Sequence, residues 1–117
     1  MTAAGELYTK ELLGFFDRND TLSGFNSPTY AGVSIYILML WAKYMPADSS
    51  SLMGTSGARM ITAIWETIES MYNANLRNVV GQRHRTYGLD MNQHVAILNV
   101  YIWSLVGKDK APGVEQM

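Results

Sequence analysis

Ser27-Pro28-Thr29-Tyr30-Ala31-Gly32-Val33-Ser34-Ile35-Tyr36-Ile37-Leu38-Met39-Leu40-Trp41-Ala42-Lys43-Tyr44-Met45-Pro46 opens with a serine before a proline and closes on a second proline. Serine suits the N-cap position, and proline suits the first helical position, where a missing N–H costs no intrahelical bond. Pro46 disfavours helical geometry in the residue before it. The stretch therefore predicts a helix over 28–44. From Tyr30 onward only Ser34 and Lys43 interrupt its apolar side chains, so this helix has no polar face.

Three further helices are expected around it. Upstream, residues 3–17 place Leu7, Tyr8, Leu12, Phe15 and Phe16 on one stripe, with Glu6, Lys10 and Glu11 outward. A polar loop over 18–26 leads into the quoted stretch, and a Ser- and Gly-rich loop over 47–57 leaves it. Residues 58–80 then have a two-sided pattern. Ile61, Ile64, Trp65, Ile68, Met71, Tyr72, Leu76 and Val79 are expected inward, and Thr62, Glu66, Glu69, Asn73 and Arg77 outward, with Gly81 closing the helix. Asp90 and Gln93 form a capping box for a helix over 91–106, and a short polar tail follows over 108–117. Its body, Val95 to Val106, is almost wholly apolar around Asn99 and Ser104. These expectations amount to an all-α fold, a four-helix bundle-like single domain, since 117 residues leave no room for a second core.

In a bundle each helix meets neighbours on about half its circumference, and its other half should be polar. Residues 28–44 and 91–106 break that rule. One account is a central helix wrapped by the rest of the chain, which would hide one of the two. A membrane is another candidate, but the apolar runs over 30–42 and 95–107 fall short of the roughly 20 residues that span a bilayer. The favoured account is burial against further copies of the chain, because large exposed apolar patches mark interfaces. Tyr36, Leu40, Trp41, Tyr44, Tyr101 and Trp103 are the expected oligomer-interface residues, combining apolar area with polar tips. Only 16% of residues are charged, so neighbouring copies repel one another weakly.

Arg77, Arg83, His84 and Arg85, with Tyr87 alongside, form a basic stretch with no acidic residue between Glu69 and Asp90. Arginine matches phosphate geometry and tyrosine stacks on bases, so these five residues are the candidate nucleic-acid or anion contact. The plainer account is charge that complements the C-terminal dipole of the helix over 58–80. The net charge of −1 excludes a chain that coats nucleic acid by bulk electrostatics.

Met53-Gly54-Thr55-Ser56-Gly57-Ala58-Arg59 resembles a phosphate loop only loosely, without its lysine or spacing, and is expected as a flexible turn with a serine cap. Glu66 and Glu69 lack the Glu-x-x-His partners of a carboxylate metal site, and neither His84 nor His94 belongs to a triad pattern. The eight methionines fill core gaps or make an adaptable binding surface. No catalytic residue, metal or cofactor is expected. The absence of cysteine removes disulfide and thiolate-metal frameworks, and residues 1–16 lack the pattern of a secretory signal.

The expected function is a non-enzymatic structural subunit that self-assembles through apolar helix faces. A component of a viral or phage particle fits its small size and low charge, with nucleic acid touching the basic loop. The alternative is a small helical binding module that engages a single partner, such as a host protein. The expected location is intracellular or within a virion, and membrane insertion is disfavoured.

Overall fold

The computed structural model describes residues 3–46, 48, 50–81 and 96–111. It is mostly helical, with α1 at Ala3–Asn19, α2 at Pro28–Tyr44, α3 at Leu52–Met71, and α4 at Ile97–Val106. A two-stranded hairpin, β1 at Tyr72–Asn73 and β2 at Asn78–Val79, follows α3, and a 3-10 turn at Lys108–Lys110 follows α4. The chain divides into two compact units. One comprises Met1–Leu22 and Ser34–Glu66, and the other Ser23–Val33 and Thr67–Met117.

In the first unit α1 ends where Asp20 turns left-handed (φ 53) and its N–H bonds the Phe16 carbonyl at 2.7 Å. Short polar side chains visit that conformation most readily after glycine. The buried face of α1 is Thr9 and Phe16, with Leu12 and Leu13 half-buried. Thr9 is tolerated inside because its hydroxyl donates to the Gly5 carbonyl at 2.7 Å. Leu7, Tyr8 and Phe15, expected in the core, are exposed instead. Periodicity does not single out the buried face of α1, because its apolar residues cover more than one side and the polar Thr9 carries no sign of burial.

α2 has the expected boundaries, and the Ala31 N–H bonds the Ser27 carbonyl at 2.8 Å. The Ser27 side chain, however, does not cap. Its hydroxyl is fully buried and has no hydrogen-bond partner.

α3 departs from expectation at both ends. It begins at Leu52, inside the Ser- and Gly-rich segment, and its cap is Ser51, whose Oγ accepts the Gly54 N–H at 3.3 Å. Ahead of it Asp48 accepts the Ser50 N–H at 2.9 Å and also the Ser50 hydroxyl, and these bonds hold the Asp48 carboxyl below its usual pKa. Ser51 donates its own N–H to the Asp48 carbonyl at 3.3 Å. The expected flexible turn at 53–59 is therefore helix. Its glycines are small for a reason of packing. A Cβ on Gly57 would come within 3.3 Å of the Leu38 carbonyl oxygen and Trp41 Cβ, and one on Gly54 would overlap the Pro46 carbonyl. Replacing Ser51 with alanine is expected to destabilise the fold by about 1 kcal/mol, the usual worth of a side-chain cap, as measured by urea unfolding.

At its other end α3 stops at Met71, nine residues before the expected terminus at Val80. Asparagine side chains compete with the helix here. Asn73 Oδ1 accepts the N–H groups of Asn75 and Leu76, both at 3.0 Å, folding the chain into a turn rather than another helical coil. Tyr72 then pairs with Val79 and Asn73 with Asn78 in antiparallel register. Leu76 points outward and Val79 inward. Gly81 has the anticipated positive φ, 101°, but follows a strand instead of closing a helix.

In the second unit α4 starts at Ile97, and its N-cap is the extended Ala96, with no side-chain cap bond. The expected helix over 91–106 is therefore shorter than its apolar pattern indicates, because the backbone is extended at Ala96; the Asp90–Gln93 capping box lies outside the described residues. Gly107 ends the helix at φ 89, its N–H bonding the Trp103 carbonyl at 3.0 Å. Leu98, Asn99 and Ile102 are buried.

Candidate functional site

On α2 one side is core, with Ile35 and Leu38 almost fully buried. The opposite side is neither polar nor covered. Tyr36, Ile37, Leu40 and Tyr44 are exposed, Tyr36 to 53% and Tyr44 to 65%, and at 3.6 residues per turn they fall within an arc of about 100°. Lys43 is the sole charge beside them, its Nζ 5.1 Å from the centre of the Tyr44 ring. Met39 is also exposed, whereas Met60 is wholly buried, so the methionines divide between surface and core.

α4 has the same two-sidedness within its own unit. Ile97, Val100 and Trp103 form an exposed stripe opposite Leu98 and Ile102, and Leu105 and Val106 extend the exposure around the last turn. On both helices apolar side chains are exposed. Of the six expected interface residues, Tyr36, Leu40, Tyr44 and Trp103 are exposed, while Trp41 and Tyr101 are half-buried. The exposed Leu7, Tyr8 and Phe15 of α1 are further apolar surface that the helical stripe had assigned to the core.

Arg77 sits in the hairpin, left-handed at φ 50, and donates from Nη1 to the Asp109 carbonyl at 3.3 Å. It is not at a helix end. The last turn of α3 holds no basic residue, so helix-dipole compensation does not account for Arg77. Arg83, His84, Arg85 and Tyr87 lie outside the described residues, as does His94.

Arg59, at the end of the segment that loosely suggested a phosphate loop, pairs with Asp17 at 2.7 Å and lies 5.6 Å from the Phe16 ring centre. Both charged side chains are more than half exposed, which limits the pair to about 1 kcal/mol or less. Glu66 and Glu69 are exposed. Among the described residues no group of three or more His, Cys, Asp and Glu side chains is arranged to hold a metal ion. Also among the described residues, no helix is long and apolar enough to cross a membrane.

No curated protein matches the chain, and no solved structure does. A family model matches residues 1–117, the whole of the sequence, and the chain therefore belongs to the family described as Domain of unknown function (DUF8769).

Proposed function

We propose that this chain is a non-enzymatic structural subunit that assembles with copies of itself through the apolar faces of α2 and α4, as a component of a viral or phage particle. The observation that carries the reading is the exposed set Tyr36, Ile37, Leu40 and Tyr44 on a helix whose other side is already core. Contiguous apolar surface of this kind is expensive in water and is characteristic of interfaces. The basic stretch of Arg77, Arg83, His84, Arg85 and Tyr87 is proposed as the contact for nucleic acid.

Light scattering of the purified protein tests the assembly. The wild-type chain is expected to form a homo-oligomer, and Tyr36→Glu with Leu40→Glu is expected to reduce the mass toward the 13.1 kDa monomer without loss of helical circular dichroism. A wild-type mass equal to the monomer at every concentration overturns the reading. That result would favour the alternative, a module whose adaptable surface, Met39 included, engages one partner protein.

A further inference from the structure

We propose that Arg77, Lys108 and Lys110 form one phosphate-contacting patch that binds a nucleic-acid strand without regard to sequence. The inference rests on the reading of the basic stretch as a nucleic-acid contact and adds cations that lie about thirty positions further along the chain.

The hairpin and the segment after α4 belong to the same compact unit. Hydrogen bonds join them. The Tyr72 hydroxyl donates to the Lys110 carbonyl, and Arg77 Nη1 donates to the Asp109 carbonyl. Both acceptors are neutral backbone oxygens, so neither contact cancels a charge. Arg77 is consequently held against a peptide flanked by two lysines, and all three cations are exposed. The single salt bridge among the described residues is the Arg59–Asp17 pair, which involves none of these three cations. Asp109 offsets one charge of the three, and the hairpin itself contains no acidic residue.

The position of Arg77 is set in advance. The Asn73 turn fixes the hairpin tip through two N–H bonds of 3.0 Å, and Arg77 adopts a left-handed φ that a long side chain rarely takes. Cations carried on two backbone segments that are bonded together favour a polyanion, which releases its counterions on binding. A phosphodiester backbone supplies such charges in series. Phosphate contact positions a strand but does not identify its bases, hence the absence of sequence preference.

Fluorescence anisotropy with a labelled single strand of about 20 nucleotides is the test. These three phosphate contacts are expected to contribute a fall in wild-type affinity of about 20-fold between roughly 50 and 200 mM salt, in addition to any from the loop. Arg77→Gln with Lys108→Gln and Lys110→Gln is expected to remove about two units from the log–log salt slope. Lys108→Gln with Lys110→Gln, which leaves the Arg77 contact in place, is expected to remove about 1.4 units and serves if the triple variant does not fold. An unchanged slope in the folded variants overturns the proposal. So does binding of phosphatidylserine vesicles, lost in the same variants, when the oligonucleotide is not bound. Arg83→Gln with Arg85→Gln, run in parallel, separates this patch from the loop. If that variant alone weakens binding, the loop contact stands and the patch falls; if only the lysine variants weaken it, the patch stands and the loop falls.

Discussion

Gly54→Ala is expected to lower the melting temperature by about 10 °C, corresponding to a loss of about 3 kcal/mol. Helix propensity alone dictates the reverse, since alanine is favoured over glycine by about 1 kcal/mol inside a helix. Packing decides the sign. A Cβ at Gly54 would stand 1.8 Å from the Pro46 carbonyl oxygen and 3.1 Å from that of Met45. These are backbone atoms, so a rotamer change relieves nothing and α3 has to move away from the chain that ends α2. The Ser51 cap would move with it. Thermal unfolding followed at the helical circular dichroism band measures the effect, and an increase in melting temperature would show that α3 and the 45–46 backbone are not in close approach.

Gly32→Ala is expected to cost about 2 kcal/mol and to act on α4. A Cβ there would lie 2.7 Å from the Leu98 backbone nitrogen and 2.8 Å from Ile97 Cβ, at the first turn of α4. The buried glycine lets the start of α2 touch that turn directly, within one compact unit. Native-state hydrogen exchange reports the consequence as faster exchange of the α4 amides, with those of α1 little changed. Equal acceleration in both helices would mean that the substitution lowers global stability and does not loosen α4 in particular.

The legible parts of the fold were those whose signals are local. Ser27-Pro28 and Pro46 bracket α2, and helical periodicity located α1 within two residues of its end. Even there the mechanism differed from its signal, for Ser27 marks the start of α2 without capping through its hydroxyl. α3 departs from its sequence pattern at both ends for opposite reasons. At its start, Gly-Thr-Ser-Gly resembles a loop, and the packing that calls for small residues there, against Leu38, Trp41 and Pro46, is not visible in the local pattern. At its end, the apolar spacing of Met71, Leu76 and Val79 suggested a continuing helix, while the Asn73 side chain turned the backbone into a hairpin.

The surface was less legible than the core. An apolar helix all round announces that something covers it, but which residues face inward depends on packing. Tyr36 and Ile35 are adjacent apolar residues, one exposed and one buried. Of the basic stretch, Arg77 alone falls among the described residues, and its neighbourhood is not legible in the sequence: Lys108 and Lys110 read as part of a short polar tail, and only the hairpin brings Arg77 onto the Asp109 carbonyl.

The glycine-bearing start of α3 also has a consequence for the order in which the chain acquires structure. Glycines, serine and threonine make 53–57 a poor helix on its own, so this turn does not nucleate in the unfolded chain. Its helical form brings Gly54 and Gly57 close against the end of α2 and the 45–46 backbone, so it is expected to become helical once those segments are in place. α2 carries its start and stop signals locally, at Ser27-Pro28 and Pro46, so the first turns of α3 are expected to condense onto it late. Gly54→Ala would accordingly act mainly on the unfolding rate and leave the folding rate nearly unchanged.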